Sequence, residues 1–240
     1  MRNPRTEEAG GGSRISIIIP VLHEEAVING LIAHIRSLER GGEVEIVVVD
    51  GDAGGSTIRV VKDGSVRTLS SGPGRGLQMN SGAAVARGDI LLFLHADTQL
   101  PENALSTLAS NMRDARIMAG AFDLGFDSDR RVFRITEAYV FLRTRLTRIP
   151  FGDQAIFARR RFFETIGGYQ AIPVMEDVDL MRRIKQYGVP IAIIPEKTLT
   201  SPRRYEEEGL VFCTLRNWAL QILYLLGVSP DWLAKWYRKH

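Results

Sequence analysis

The chain has 240 residues, a formal net charge of +3 and one cysteine. Its composition, 45% apolar and 25% charged, is that of an ordinary globular protein, and its length suits one sizeable α/β domain with a small appendage. So small a net charge gives no support for a nucleic-acid partner. A single cysteine cannot form an internal disulfide, which fits a reducing cytoplasm. The sequence contains no run of about 18 charge-free apolar residues, so it predicts no membrane-spanning helix.

Strands and helices are predicted to alternate in the first half of the chain, after a Gly-rich segment, residues 1–14, that we expect to be a disordered leader. The apolar runs are short, nearly unbroken and rich in β-branched residues, which is typical of strands buried on both faces. The predicted strands lie at 15–19, 45–49, 66–69 and 90–94, and each is followed by a helical pattern. This repeated alternation predicts an α/β fold with a doubly wound sheet flanked by helices.

The pattern becomes less regular after about residue 114. Strands are predicted at 118–124, 155–157 and 191–194, and helices at 133–146, 161–166 and 178–187. A strongly apolar helix over 207–226 and a short basic, aromatic helix over 230–239 follow. We therefore expect a main α/β domain over 15–205 and a C-terminal helical segment over 206–240.

Acidic and polar residues stand directly after two of the predicted strands. Asp50 and Asp52 follow the second strand, and His95 and Asp97 follow the strand at 90–94. In open α/β sheets ligands bind outside the carboxyl ends of the strands, so we expect these side chains to line one crevice. Carboxylates in such a crevice suit a divalent metal or a ribose. Each cluster taken alone is also typical of a turn or a helix cap.

Two further groups stand at predicted helix starts. Arg75, flanked by glycines, would offer a positive charge and backbone amides to a phosphate, although a flexible loop ending in a cap has the same pattern. Glu176, Asp177 and Asp179 open another helix, where the helix dipole by itself favours acids. Three carboxylates within four residues exceed the needs of a cap, and one of them could act as a general base.

Together these motifs resemble the family 2 nucleotide-sugar glycosyltransferases of the GT-A fold. The matching stretches keep their order over roughly residues 15–205 and lie at 18–25, 45–57, 75–80, 91–101, 152–159 and 175–180. The His-Ala-Asp-Thr sequence that starts at His95, and the segment 200–205, resemble a small bacterial subgroup associated with arsenosugar biosynthesis or selenium-domain proteins.

The resemblance implies a GT-A-like doubly wound mixed sheet and a cytoplasmic enzyme that moves a sugar, with inversion, from a nucleoside-diphosphate sugar to an acceptor hydroxyl. A UDP-sugar is the expected donor, and the acceptor is unknown. Asp177, with Glu176 beside it, matches the catalytic base, and Asp97 matches the acid that binds Mn²⁺ or Mg²⁺. The residues that match the nucleotide pocket are Pro20, His23, Glu25, Asp50, Arg75, His95 and Ala96. Candidate contacts to the diphosphate or the acceptor are Asp153, Gln154, Arg203 and Arg204.

The chain departs from the family pattern at two positions. His95 stands where an acid is usual, and Gly51 stands where the strand-end pair usually has its second acid. These departures leave the first metal or ribose contact open.

Other functions share some of these features. A sugar-phosphate nucleotidyltransferase has a similar core and metal, but it usually carries an early Gly-rich loop with a basic residue, where this chain has His23-Glu24-Glu25. A non-catalytic partner could bind a nucleotide sugar without transferring it, although Asp97 and Asp177 argue against that. A NAD-dependent oxidoreductase is disfavoured because no G-x-G-x-x-G sequence follows the first strand.

The segment 207–239 allows three interpretations. An apolar helix beside a basic aromatic one could lie on a membrane surface, in this case at the inner face of the bacterial membrane. It could instead pack on the main domain or form a homodimer seam. Polar residues at 216, 217 and 221 interrupt the apolar run and favour packing or dimerisation.

Overall fold

A computed structural model describes residues 14–39 and 44–237. The predicted leader lies almost wholly outside the described residues. The strands are β1 (Ile15–Val21), β2 (Val44–Asp50), β3 (Arg67–Ser70), β4 (Ile90–Phe93), β5 (Thr98–Gln99), β6 (Ala119–Phe126), β7 (Phe157–Arg159) and β8 (Ile191–Thr200). The helices are α1 (Ile28–Ser37), α2 (Arg75–Val85), α3 (Ala104–Asn111), α4 (Arg131–Thr147), α5 (Arg160–Thr165), α6 (Glu176–Gln186), α7 (Arg203–Glu208), α8 (Leu210–Leu225) and α9 (Pro230–Tyr237).

The strands form one mixed sheet in the order β3-β2-β1-β4-β7-β6-β8-β5. The strands β1 to β4 pair in parallel, and β1 is buried along its whole length. Alternate side chains of β1 enter two separate cores: Ile17 and Ile19 pack on the side of α1 and α3, and Ile18 packs on the side of α2, α5 and α6. Helices cover both faces of the sheet, and its strands therefore carry apolar side chains on both faces. The predicted doubly wound sheet with flanking helices is confirmed.

The second half of the sheet differs from the expectation in detail. Strand β7 runs antiparallel between β4 and β6, and β8 runs parallel to β6 with a register shift between Phe122 and Asp123. Strand β8 extends six residues beyond the predicted end at Ile194 because its later part continues along β6 after the shift. The two-residue strand β5 was not predicted; it forms only because Thr98 pairs with Thr200, more than a hundred residues away.

The C-terminal helices also differ from the prediction. Gly209, with φ of 90°, separates α7 from α8, so the single helix expected over 207–226 is broken. Helix α7 spans residues 205 and 206, between which the boundary of the main domain and the C-terminal segment was predicted. One side of α8 and α9 packs against the domain through a small core that includes Val174, Leu220 and Leu233. None of the helices among the described residues is long and apolar enough to cross a membrane.

Candidate active site

The site lies at the carboxyl ends of β1, β2 and β4, which the parallel register brings together. Val21, the last residue of β1, pairs with Asp50, the last residue of β2. The chain leaves β1 through His23, which has φ of 57° and places its Nδ1 atom 3.4 Å from the Ser56 hydroxyl. Glu25 follows at the surface, and hydrogen bonds from its own backbone and from Ser56 lower the pKa of its carboxyl. Pro20 is buried within β1.

Asp50 is fully buried and its carboxylate holds a loop. Its Oδ1 atom accepts the Asp52 N–H at 2.9 Å, and its Oδ2 atom accepts the N–H groups of Thr57 and Ile58 at 2.9 and 3.2 Å. These bonds explain why an acid ends this strand, since buried backbone donors need partners. The contact of Asp50 with the nucleotide stays a prediction. In the structure its carboxylate accepts hydrogen bonds from three backbone N–H groups.

Gln78 of α2 joins the ends of the two central strands, and the sequence interpretation missed it. Its buried amide donates to the carbonyls of Val21 and Val49, both at 2.8 Å. Its side chain lies so close to Gly51 that a Cβ there would sit 3.1 Å from the amide. A second acid at position 51, as is usual in the family pattern, would therefore displace this amide.

His95 and Asp97 follow β4 and differ in exposure. Ala96 between them is buried, His95 is half-buried and Asp97 is exposed, and the Asp97 carboxylate accepts a long 3.3 Å bond from the Thr98 hydroxyl. Asp97 borders a groove of about 360 Å³ that is also lined by Glu24 and Arg203. Burial, with the Arg75 charge nearby, lowers the pKa of His95 to about 4, although Asp97 and Asp177 oppose the shift. The imidazole is therefore neutral at pH 7.

Asp177 meets His95 across a glycine. The Gly152 N–H donates to Asp177 Oδ2 at 2.7 Å, and the Val178 N–H donates to Oδ1 at 2.7 Å. The His95 ring packs so closely on Gly152 that a Cβ there would lie 2.7 Å from Nε2. Residues from β4, the loop before β7 and the start of α6 thus converge, and only a residue without a side chain fits between them.

Asp97 and Asp177 share one electrostatic environment. Both carboxylates act on the pKa of His95 and on that of Asp153. The two acids therefore both lie within electrostatic range of His95 and Asp153, although 80 residues separate them in the chain.

Glu176, the neighbour of Asp177, is tied to Arg75. Its Oε1 atom lies 2.9 Å from the Arg75 guanidinium, and the carboxylate is buried while the arginine is 40% exposed. Burial raises the pKa of Glu176, and Arg75 opposes this rise. The pair anchors the first turn of α2 to the first turn of α6 and leaves part of the guanidinium open to the site.

Asp153 lies within electrostatic range of Asp177 and Asp97 and has one unpaired buried oxygen among the described residues. Its Oδ1 atom is buried, and the described residues give it no hydrogen-bond partner. Burial raises its pKa to about 6, with Arg143 opposing the rise and Asp177 and Asp97 adding to it. A buried carboxyl with an unused oxygen and a raised pKa is typical of a functional site.

Gln154, next to Asp153, is fully buried and holds together the loop before β7. Its Oε1 atom accepts from Arg143, Thr144 and the Phe151 N–H at 3.1–3.2 Å, and its amide donates to the Phe122 carbonyl at 3.0 Å. Its predicted contact with diphosphate or acceptor stays a prediction; its observed partners are all protein groups.

Arg203 and Arg204 border the site from α7. Arg203 lies 4.0 Å from Glu24 at the groove that Asp97 lines. Arg204 contacts the Tyr237 hydroxyl of α9 and acts on the pKa of His95. With Arg75 they give this edge of the site three exposed or half-exposed guanidinium groups, which suit a diphosphate.

The residues present fit a divalent metal that is shared with a ligand. No group of three or more metal-binding side chains occurs in the described part of the chain. Asp97, however, presents an exposed carboxylate beside basic residues, and Mg²⁺ or Mn²⁺ is commonly held by one or two carboxylates together with substrate phosphates. The neutral imidazole of His95 is a second possible ligand.

Comparison with known proteins identifies the family. The profile of glycosyl transferase family 2 matches residues 16–171, more than half of the chain. The chain belongs to this family. It is a glycosyltransferase with a GT-A fold, and the family match favours sugar transfer over nucleotidyl transfer. The matched segment ends before Glu176 and Asp177, so the predicted base lies outside it.

Two curated relatives match different shares of this chain. An uncharacterized protein of Mycobacterium tuberculosis is 27% identical over 230 residues, which cover 85% of this chain and 72% of the relative. Glucosyl-3-phosphoglycerate synthase of the same species is 33% identical over 101 residues. That match covers 38% of this chain and only 31% of the synthase. Neither relative bears on the arsenosugar-associated subgroup, which stays a prediction.

Two solved structures share the fold. The mannosyltransferase PcManGT of Pyrobaculum calidifontis, in complex with GDP-Man and Mn²⁺, superposes with a TM-score of 0.60 at 19% identity, covering 79% of this chain and 56% of that one. Residues 1–349 of S. aureus TarS, in complex with UDP-GlcNAc, give a TM-score of 0.60 at 15% identity, covering 78% and 58%. The chain thus spans little more than half of either structure, and the likeness shows the fold alone.

Proposed function

We propose that this glycosyltransferase transfers a sugar from a nucleoside-diphosphate sugar to an acceptor hydroxyl with inversion, using a divalent metal and Asp177 as the general base. The convergence of His95, Gly152 and Asp177 carries the proposal. Two backbone amides hold the Asp177 carboxylate, and both Asp177 and Asp97 lie within electrostatic range of His95 and Asp153, which supports a shared site.

The diphosphate would lie on the Asp97 side of the site. Asp97, with His95 as a second candidate, would hold Mn²⁺ or Mg²⁺, which when bound neutralises charge on the diphosphate leaving group. Arg75, Arg203 and Arg204 would bind phosphate oxygens. Glu176 would position Arg75 through their 2.9 Å ion pair rather than take part in proton transfer.

The nucleoside would occupy the crevice where β1 and β2 end. Pro20, His23, Glu25, Asp50 and Ala96 would line it, with Asp50 acting mainly through the loop that it holds. PcManGT was solved with GDP-Man and TarS with UDP-GlcNAc. Both support a nucleoside-diphosphate sugar as the donor here, and a UDP-sugar remains the expected one.

The proton and the sugar would move on the Asp177 side. The acceptor hydroxyl attacks the anomeric carbon from the face opposite the diphosphate, its O–H proton passes to Asp177, and the bond from the anomeric carbon to the phosphate oxygen breaks. This single displacement inverts the anomeric configuration and needs no covalent enzyme intermediate. Asp153, whose Oδ1 atom has no hydrogen-bond partner among the described residues, would accept a hydrogen bond from a sugar or acceptor hydroxyl or donate one to it.

The base is tested by Asp177→Asn, with Asp179→Asn as the matched control. Both changes neutralise an acid in the first turn of α6, but Asp179 is paired with Arg183 at 2.7 Å. Because general-base catalysis typically contributes about 10²- to 10⁴-fold, Asp177→Asn should lower turnover by that factor and leave nucleotide affinity nearly intact. Release of nucleoside diphosphate, with water as acceptor, measures turnover. Near-normal turnover in Asp177→Asn would rule out this base.

The donor and the stereochemistry need two further measurements. A thermal-shift panel of UDP-, GDP- and dTDP-sugars, with and without Mn²⁺ or Mg²⁺, identifies the donor, since a ligand that binds the native state raises the melting temperature. Proton NMR of the first-formed sugar should then show the opposite anomer to that of the donor. Retention would contradict the single displacement.

A further inference from the structure

Most of the exposed residues of α4 and α8 are apolar, and the two helices form one surface. Helix α8 shows an inverted pattern, because its buried side holds polar groups such as Arg216 and Gln221. Every residue of α8 that is exposed is apolar: Val211, Phe212, Leu215, Trp218, Ala219, Ile222 and Leu225. A solvent-facing helix normally carries its charged residues on this side.

Helix α4 continues the same surface. Tyr139 of α4 packs against Trp218 of α8 with ring centroids 4.5 Å apart. Ile135, Leu142 and Leu146 lie on the Tyr139 side of α4, at helical spacing, and are 72%, 57% and 74% exposed. The apolar stripes of the two helices therefore adjoin. Exposed apolar area of this extent is typical of an interaction surface.

Basic residues border the apolar surface. Arg131 and Arg134 near the start of α4, and Arg148 at its end, are exposed. At the far end of α8, the Arg182 guanidinium lies 5.7 Å from the Tyr224 ring. On α9, Trp232 stacks on Trp236, and both are largely exposed. The exposed acids of this region are Asp127 and Asp129 in the loop before α4, Glu206 and Glu207 on α7, and Asp231 in the first turn of α9.

We infer that this α4–α8 surface docks on an anionic lipid bilayer and holds the enzyme at the membrane. An apolar helical face with arginines at its border and tryptophans beside it has the chemistry of an interfacial helix. A symmetric dimer through the same surface would pair this patch with its own copy. Among the described residues, the exposed charges of α4 are arginines and α8 exposes none, so the two helices of one copy would offer no acid to the arginines of the other. Charge complementarity therefore favours lipid over a second copy.

Helix α9 links the docking surface to the border of the site, because it follows α8 directly and its Tyr237 contacts Arg204. The inference does not depend on the proposed reaction.

Vesicle flotation tests the inference with the full chain and no sugar nucleotide. The protein should float with vesicles of phosphatidylcholine and phosphatidylglycerol and not with phosphatidylcholine alone, and high salt should weaken binding. Leu215→Glu combined with Ile222→Glu should lower the partition coefficient at least about tenfold, because it places two charges in the apolar face. Arg131→Gln combined with Arg148→Gln should lower it about fivefold for each arginine that contacts the lipid.

The matched control is Val60→Glu combined with Tyr187→Glu, which changes two exposed apolar residues on other elements. It should bind vesicles as the wild type does, and circular dichroism checks that each variant is folded. Failure of the wild type to float, or equal flotation of Leu215→Glu/Ile222→Glu, would overturn the inference. A wild-type dimer that this variant makes monomeric, without vesicle binding, would assign the surface to a second copy instead.

Discussion

Replacing Asp153 by Asn should make the protein more stable at neutral and alkaline pH. The Asp153 carboxyl is buried, one of its oxygens has no partner among the described residues, and its pKa rises from 3.8 to about 6. One pKa unit corresponds to about 1.36 kcal/mol. Ionised Asp153 therefore costs the folded state up to about 3 kcal/mol above pH 6. Asparagine does not ionise, so the variant avoids this cost. It also loses the attraction between the carboxylate and Arg143, which makes the net gain smaller.

The sign of the pH dependence follows from the two pKa values. Between about pH 4 and pH 6 the folded protein keeps a proton that the unfolded chain has already released, so the free energy of unfolding falls as the pH rises. Above pH 6 the loss is complete. Asp153→Asn should flatten this fall and raise the melting temperature at pH 8 by about 2–4 °C for each kcal/mol gained. At pH 4 its effect should be small.

Thermal unfolding at pH 4 and pH 8, in the presence of a chelator and without sugar nucleotide, measures the difference. Asp114→Asn is the control, because the pKa of Asp114 is lowered to about 2 by hydrogen bonds from Arg116 and neutralising it should bring no gain at pH 8. If Asp153→Asn were less stable than the wild type at pH 8, the carboxylate would have to be stabilised by a partner, and the assignment of a strained functional acid would fail. A stable Asp153→Asn variant should also transfer sugar more slowly.

Three other changes test the site. Asp97→Ala should abolish the metal-dependent part of nucleotide binding in a calorimetric titration, and an unchanged response to Mn²⁺ would exclude Asp97 as its ligand. Gly152→Ala should impair turnover strongly because its Cβ would lie 2.7 Å from His95, whereas Gly64→Ala, which has open space around it and lies outside the groove, should keep activity. Gln78→Leu should cost about 2 kcal/mol in urea unfolding because it removes two buried hydrogen bonds, although the Val21 carbonyl keeps the Gly51 N–H; a loss below about 0.5 kcal/mol would show that the Gln78 amide contributes little to stability.

Much of the fold could be read from local patterns. The strands β1, β2 and β4 are short apolar runs with polar residues directly after them, and the doubly wound arrangement follows because such strands must be covered on both faces. The same logic places Asp50 and Asp97 at one edge of the sheet, since parallel strands end on the same side. The helix starts at Arg75 and Glu176 were also readable from glycine and from acids in a first turn.

The parts that escaped prediction depend on partners distant in the chain. Strand β5 exists because Thr98 meets Thr200, and nothing near Thr98 indicates it. Gln78 looks like an ordinary helix residue until two strand ends supply its acceptors. Gly152 looks like a turn glycine until His95 and Asp177 close on it.

The sequence by itself therefore determined the parallel half of the sheet, the order of its strands and helices along the chain and the side of the sheet where the chemistry lies, because burial periodicity and strand ends are local properties. The tertiary structure alone decided which acid meets which base. It tied Glu176 to Arg75, placed Asp177 against the Gly152 amide and left Asp153 with an unused oxygen. It also decided that the outer face of α8 is the apolar one, because that depends on which side of the helix the domain covers. These outcomes arise from contacts between segments far apart in the chain, which no local pattern encodes.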